Sequence, residues 1–169
     1  MFANKVMSQQ YTEYDLKAAY VYNFSKFVTW PSYAFENDQS SFDIVVLGES
    51  PITKVLLKAL KDRKILNRNI SIKVINNVEE IRGAQLVFLS KNMQAKTKEV
   101  VAYCKNKPIL LVGDVIEGFC QSGGTINFTP KASKYRFEIN NQATKSSQIV
   151  ISSKLLALAR IINGDEIKF

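Results

Sequence analysis

Four short strand-like runs, FDIVVL at 42–47, the alternating ISIKVI at 70–75, QLVFL at 85–89 and ILLV at 109–112, constrain this chain most. Each has the length of a strand and is rich in the β-branched and aromatic residues that suit a pleated surface. Gly48 closes the first run and Pro108 introduces the last. Helical stretches separate them. Pro51 opens one over 52–62, and Lys91 to Tyr103 forms another, with Val100 and Val101 facing inward. The resulting order is strand, helix, strand, strand, helix, strand. Apolar strands separated by helices predict a largely parallel sheet covered on both faces.

The texture changes after residue 124. Thr125 to Phe128 and Tyr135 to Asn140 alternate with period two, and the six-residue loop Thr129 to Lys134 joins them as a hairpin. Ile126 and Phe128 share one side of the first strand. On the second, Tyr135, Phe137 and Ile139 lie opposite Arg136, Glu138 and Asn140. The expected fold is therefore a single α/β domain. Its sheet is mixed and mostly parallel, with about six strands, an antiparallel hairpin and helices on both faces.

A first helix is predicted over 13–29, with Leu16, Tyr20, Val21, Phe24, Phe27 and Val28 in one apolar sector. Asp15, Asn23, Ser25, Lys26 and Thr29 fall opposite. Lys17 breaks the pattern by lying in the apolar sector, and Tyr22 by lying in the polar one. Trp30-Pro31 ends the helix, because the residue before proline avoids the α region. A last helix is predicted from Ser152 or Ser153 to Ile162, burying Leu155, Leu156, Leu158, Ala159 and Ile162, and stopped by Asn163-Gly164. The domain is expected to cover 13–169, with residues 1–12 disordered or foreign to it.

With 169 residues, 46% of them hydrophobic, the chain can bury a core without a disulfide or metal staple. Its formal charge of +8 comes mostly from scattered lysines. Lys54, Lys58, Lys61, Arg63, Lys64 and Arg68 make one local concentration, read either as a solvated face or as a contact for acidic lipid or an acidic partner. No nucleic-acid-binding signature accompanies it. The chain has no histidine, which removes Ser-His and Cys-His pairs and His-ligated metal sites. Phosphate-loop, dinucleotide and nucleophile-elbow motifs are absent too. No cofactor, metal site or catalytic residue is therefore assigned. Cys104 and Cys120 flank one strand, near residues 108–113, which would hold them roughly 20 Å apart at about 3.3 Å per residue. A disulfide needs about 7 Å, so both are expected as free thiols.

No run is long and apolar enough to span a membrane, and MFANKVMSQQ lacks a signal-peptide core. These residues leave open a cytoplasmic protein or an exported one without its signal.

Several residues invite a functional reading beside a structural one. Gly113-Asp114 follows a strand, where open α/β sheets meet ligands, although Asp there also caps turns. Gly123-Gly124 would allow close backbone approach, or simply a turn. Arg136 and Glu138 share a strand face; they form a recognition surface if uncovered and an ordinary charge pairing otherwise. Ser152, Ser153 and Lys154 open the last helix, where an anion or a plain cap would sit. Tyr22 is an aromatic on a polar face, of the kind interfaces favour. Partner or ligand binding is expected among Tyr22, Asp114, Arg136, Glu138, Ser152, Ser153 and Lys154.

Four segments together resemble the YfiR family of periplasmic regulators. They are Lys17-Ala18-Ala19-Tyr20-Val21-Tyr22-Asn23-Phe24-Ser25-Lys26-Phe27 running into Trp30-Pro31; Ile44-Val45-Val46-Leu47-Gly48; Gly123-Gly124-Thr125-Ile126-Asn127-Phe128 with Arg136-Phe137-Glu138-Ile139-Asn140; and Ile151-Ser152-Ser153-Lys154-Leu155-Leu156-Ala157-Leu158-Ala159. The resemblance implies a periplasmic protein, exported by an apolar signal encoded upstream. It implies a non-catalytic repressor that binds the periplasmic domain of an inner-membrane, YfiN-like diguanylate cyclase. Repression would lower cyclic di-GMP and restrain biofilm formation. Some members carry disulfides, which Cys104 and Cys120 do not readily reproduce. A homodimer and peripheral contact with an anionic membrane are open to such a protein; nucleic acid is not expected as a partner. The rival readings are a small-ligand sensor or carrier, with a pocket near Asp114 and Lys154, and an enzyme using carboxylate or lysine chemistry.

Overall fold

The central strand is β2 (Phe42–Leu47), which runs parallel to β4 (Arg68–Ile75) on one side and to β5 (Leu86–Leu89) on the other. β6 (Leu110–Gly113) and β7 (Ile126–Phe128) extend the parallel array beyond β5. β8 (Phe137–Ile139) then pairs antiparallel to β7 as the expected hairpin. Two strands of this sheet were not expected, and neither were the two of a separate ribbon. β3 (Lys64–Ile65) forms a tight antiparallel hairpin with β4, and β10 (Arg160–Ile161) pairs parallel to β8. The sheet thus has eight strands in the order β10-β8-β7-β6-β5-β2-β4-β3. A separate two-stranded ribbon joins β1 (Val28–Thr29) to β9 (Val150–Ile151). This computed structural model describes the backbone of residues 2–163 and the side chains of residues 12–163.

The pleat divides the core in two. Phe42, Ile44, Val46, Leu86, Phe88, Leu110 and Val112 point to the face covered by α1 (Phe2–Phe27), α2 (Ile52–Ala59) and α4 (Ser153–Leu156). Val45, Leu47, Val87, Leu89 and Leu111 point to the face covered by α3 (Thr97–Cys104) and its loops. Burial on both faces is why these runs read as continuously apolar rather than alternating.

The aromatic stripe of α1 is core. Phe24 packs edge-on against Phe137 at 5.0 Å and lies 5.7 Å from Phe128, with Tyr20 stacked beside it. Trp30 meets Phe42 edge-on at 5.0 Å, and its indole N–H donates to the Gln85 carbonyl.

Several boundaries differ from expectation. α1 starts earlier than residue 13 and ends at Phe27, because Val28 and Thr29 pair with β9. Its buried sector is also rotated. Leu16 and Phe27 are exposed, whereas Ser25 is fully buried and satisfies its hydroxyl on the Val21 carbonyl. α2, packed alongside, widens the buried flank. Helical backbone begins at Lys91 as expected, but Lys91–Lys96 forms a 3₁₀ helix before α3. The final helix is a single turn, not a run to Ile162. Arg160–Ile161 is drawn onto the β8 edge, and the Ile162 amide bonds the Ile139 carbonyl. Leu158, expected to be buried, is exposed. The expected stop at Asn163-Gly164 falls partly outside the described residues.

Candidate functional site

The chain leaves β2 toward β4 and later returns to β5 on the other side of β2. Ligands in open α/β sheets meet loops at the carboxyl ends of such strands. Here that edge carries a buried polar cluster. Asp114, one residue beyond β6, points to the α1 face. Its Oδ1 accepts from Lys17 Nζ at 2.7 Å, and its Oδ2 accepts from the Tyr14 hydroxyl at 2.8 Å. The Lys17 and Asp114 side chains are 8% and 1% exposed, so the pair is sealed. Lys17 also lies 4.7 Å over the Tyr14 ring and 5.9 Å from that of Phe128. The lysine that broke the apolar pattern of α1 is thus the partner of the carboxylate that ended β6.

Tyr14 is pushed up to about 12, first by burial and then by the adjacent Asp114 charge. Its proton therefore stays in place to donate to Asp114 across the physiological range.

The turn after Asp114 is strained. Val115 has φ 55°, a region unusual for a β-branched residue. Asn127 holds the turn from the α3 side of the sheet. Its Oδ1 accepts from the Ile116 amide at 3.1 Å and its Nδ2 donates to the Ile116 carbonyl at 2.8 Å. The same Nδ2 lies 3.3 Å from Glu138 Oε1, and Arg160 approaches the other Glu138 oxygen at 3.8 Å. Asn140 donates to the Cys120 carbonyl and accepts from the Gln142 and Ala143 amides.

The glycines of this region make room for one ring. A β-carbon on Gly124 would lie 2.2 Å from the Phe119 ring, and one on Gly113 2.8 Å from it. Gly123, at φ 108°, approaches Val101 of α3.

The seven expected site residues therefore separate. Asp114 and Glu138 are both buried, on opposite faces of the sheet. Arg136 is partly exposed and pairs with Glu13 at 3.1 Å, not with Glu138. Tyr22 is half-buried in a groove between α1 and α2, with Lys26 and Arg63 over its ring at 5.0 and 5.4 Å. Ser152 accepts from the Lys154 amide as the N-cap of α4, and its own amide donates to Phe27. Phe27 lies ten residues along α1 from Lys17, about 15 Å at the helical rise. Lys154 and Asp114 thus do not share a pocket. Sequence reasoning missed Tyr14 and Asn127. Asn127 stood on the polar side of a strand and could have been flagged as a buried amide; Tyr14 carried no such signal.

Both cysteines are free and buried. Cys104 lines a groove of about 650 Å³ between α3 and the loops at 122–125 and 142–147, with Val101, Ile109 and Leu111 on its wall and Lys98 and Lys105 among its other lining residues. Burial pushes the Cys104 thiol up to about 12, with Lys107 opposing. Burial also pushes Cys120 up, with the Glu138 carboxylate adding.

Among the described residues, no group of His, Cys, Asp and Glu is placed to hold a metal, and no helix is long and apolar enough to cross a membrane. No curated protein matches the chain. A family model does, over residues 14–160, from the tyrosine that donates to Asp114 to the arginine beside Glu138. That match covers most of the chain, which belongs to the YfiR/HmsC-like family.

Proposed function

We propose that this protein is a non-catalytic periplasmic regulator that binds the periplasmic domain of an inner-membrane, YfiN-like diguanylate cyclase and represses it. Repression lowers cyclic di-GMP and restrains biofilm formation. The observation that carries the reading is the family match over residues 14–160. The chemistry of the carboxyl edge is in keeping with it. Both oxygens of Asp114 are bonded to Tyr14 and Lys17, so the carboxylate best placed to hold a ligand fastens α1 to the sheet instead.

Contact with the partner is assigned to Tyr22, Arg136 and the Ser152-Ser153-Lys154 turn, which reach the surface at separate points, with the α1–α2 groove around Tyr22 as the docking face. Asp114 is buried beneath α1, and Glu138 is buried on the other face of the sheet, so neither reaches a partner directly. The test is a deletion strain together with capture of the cyclase on the purified protein. Raised cyclic di-GMP and recovery of the cyclase are expected. Unchanged cyclic di-GMP with no cyclase recovered defeats the reading.

A second reading, a small-ligand sensor or carrier, is favoured by the groove beside Cys104. Saturable binding of a small anionic dye there, lost on Val101→Trp, would support it.

A further inference from the structure

At the sheet edge opposite β10, the β3–β4 hairpin has an unexpected turn. Lys64 pairs with Asn69 and Ile65 with Arg68, leaving Leu66 and Asn67 as a two-residue connection. Both have positive φ, 53° and 60°, the mirror-image turn geometry that asparagine and glycine adopt readily. Asn67 suits it. Leu66 does not, because its β-carbon crowds the backbone there. Core packing does not offset this strain: beside the turn Ile65 is buried, while Leu66 is 49% exposed.

A second leucine without cover lies on α2, the helix packed against β4. Leu57, on the flank of α2, is 53% exposed. It lines a groove of about 470 Å³ with Ile70 and Ile72 of β4 and with Lys61, Arg63 and Lys64. Between residues 54 and 68 the chain carries six cations and one carboxylate, Asp62, which lines the same groove. Arg68 is already engaged, stacked 3.8 Å over Phe35 and bonded to Asn37 and Ser40. The other five cations are exposed.

We propose that this corner is a docking surface for an anionic phospholipid bilayer. Leu66 and Leu57 enter the headgroup–acyl boundary, and Lys54, Lys58, Lys61 and Lys64 lie against lipid phosphates. The composition selects a bilayer over an acidic protein. Lysine is depleted in protein–protein interfaces, whose anchors are aromatic or arginine. Lysines beside projecting leucines match interfacial membrane binding, which needs no complementary pocket. The proposal stands independently of the cyclase reading.

The experiment is co-sedimentation of the full chain with vesicles of phosphatidylglycerol and phosphatidylcholine in equal parts, and with phosphatidylcholine alone. Binding to the anionic vesicles only, released by raised salt, is expected. Leu66→Asn suits the turn, so it should keep the thermal midpoint or raise it while lowering the partition coefficient about tenfold. Lys58→Gln with Lys61→Gln should lower it about twentyfold. Absence of binding to anionic vesicles overturns the proposal, as does binding that neither variant changes. So does capture of soluble polyglutamate where the vesicles are ignored, since the face would then take an acidic protein.

Discussion

Lys17 and Asp114, 97 residues apart in the chain, form a 2.7 Å ion pair sealed between α1 and the carboxyl end of β6. Tyr14 occupies the second carboxylate oxygen. Truncating one partner leaves the other charge buried and uncompensated. Lys17→Met should therefore cost about 3–5 kcal/mol of unfolding free energy. Adding Asp114→Asn should recover part of that loss, because the amide still accepts from Tyr14 and no charge remains. Urea titrations of the two single variants and the double check this; a double variant as unstable as the sum of the single changes would show that the pair does not interact.

The two thiols should resist alkylation in the native protein and shape its alkaline limit. The thiolate is the reactive form, and burial holds both groups protonated. Iodoacetamide at neutral pH should modify neither cysteine until denaturant is added, then both. The linkage has a definite sign. The native pKa of Cys104 lies at about 12 against an ordinary 9. Its contribution is intact below about pH 9 and is lost as pH rises toward 12. Cys104→Ala should flatten that decline. Mass spectrometry of unreduced protein that found a Cys104–Cys120 bridge would contradict the whole arrangement.

Gly124 is required by Phe119 and by no special backbone angle. With its β-carbon 2.2 Å from the ring, Gly124→Ala should cost about 2–3 kcal/mol. Phe119→Leu in the same chain should relieve the clash, so the double variant should lose less than the two single losses added. Simple additivity in thermal unfolding would mean that the ring has room to move.

These relationships mark where reading the sequence stopped. β2, β5 and β6 were legible because burial on both faces leaves apolar runs with turn residues at their ends, and β4 because its exposed face makes it alternate. Lys17 and Asp114 were each visible as an anomaly, one in an apolar sector and one after a strand. Their meeting depends on how α1 lies across the sheet, which local periodicity does not encode. β3 escaped notice because Leu66-Asn67 lacks the Asn-Gly or Gly pair that signals a two-residue hairpin. β10 was hidden inside Leu155 to Ile162, whose apolar spacing suits a helix. The open edge of β8 took Arg160–Ile161 instead, an instance of tertiary pairing overriding local preference.

Tyr22 offers the sharpest test of the assigned docking face. It sits half-buried between α1 and α2, flanked by Lys26 and Arg63, so its ring is held in a cationic setting that an acidic partner surface would complete. Its neighbours Ala18 and Ala19 are small, which leaves the ring accessible along the groove. Truncation to alanine removes no buried hydrogen bond that holds the domain together, so folding should survive. The affinity for the cyclase periplasmic domain should fall about tenfold if Tyr22 is an anchor. Arg136→Ala should weaken binding less, because that guanidinium is already paired with Glu13. Raised salt should slow association more than it speeds dissociation, the signature of charge steering. Calorimetry and stopped-flow binding on folded variants decide between outcomes. Wild-type affinity in Tyr22→Ala, with its circular dichroism unchanged, would move the docking face away from the α1–α2 groove.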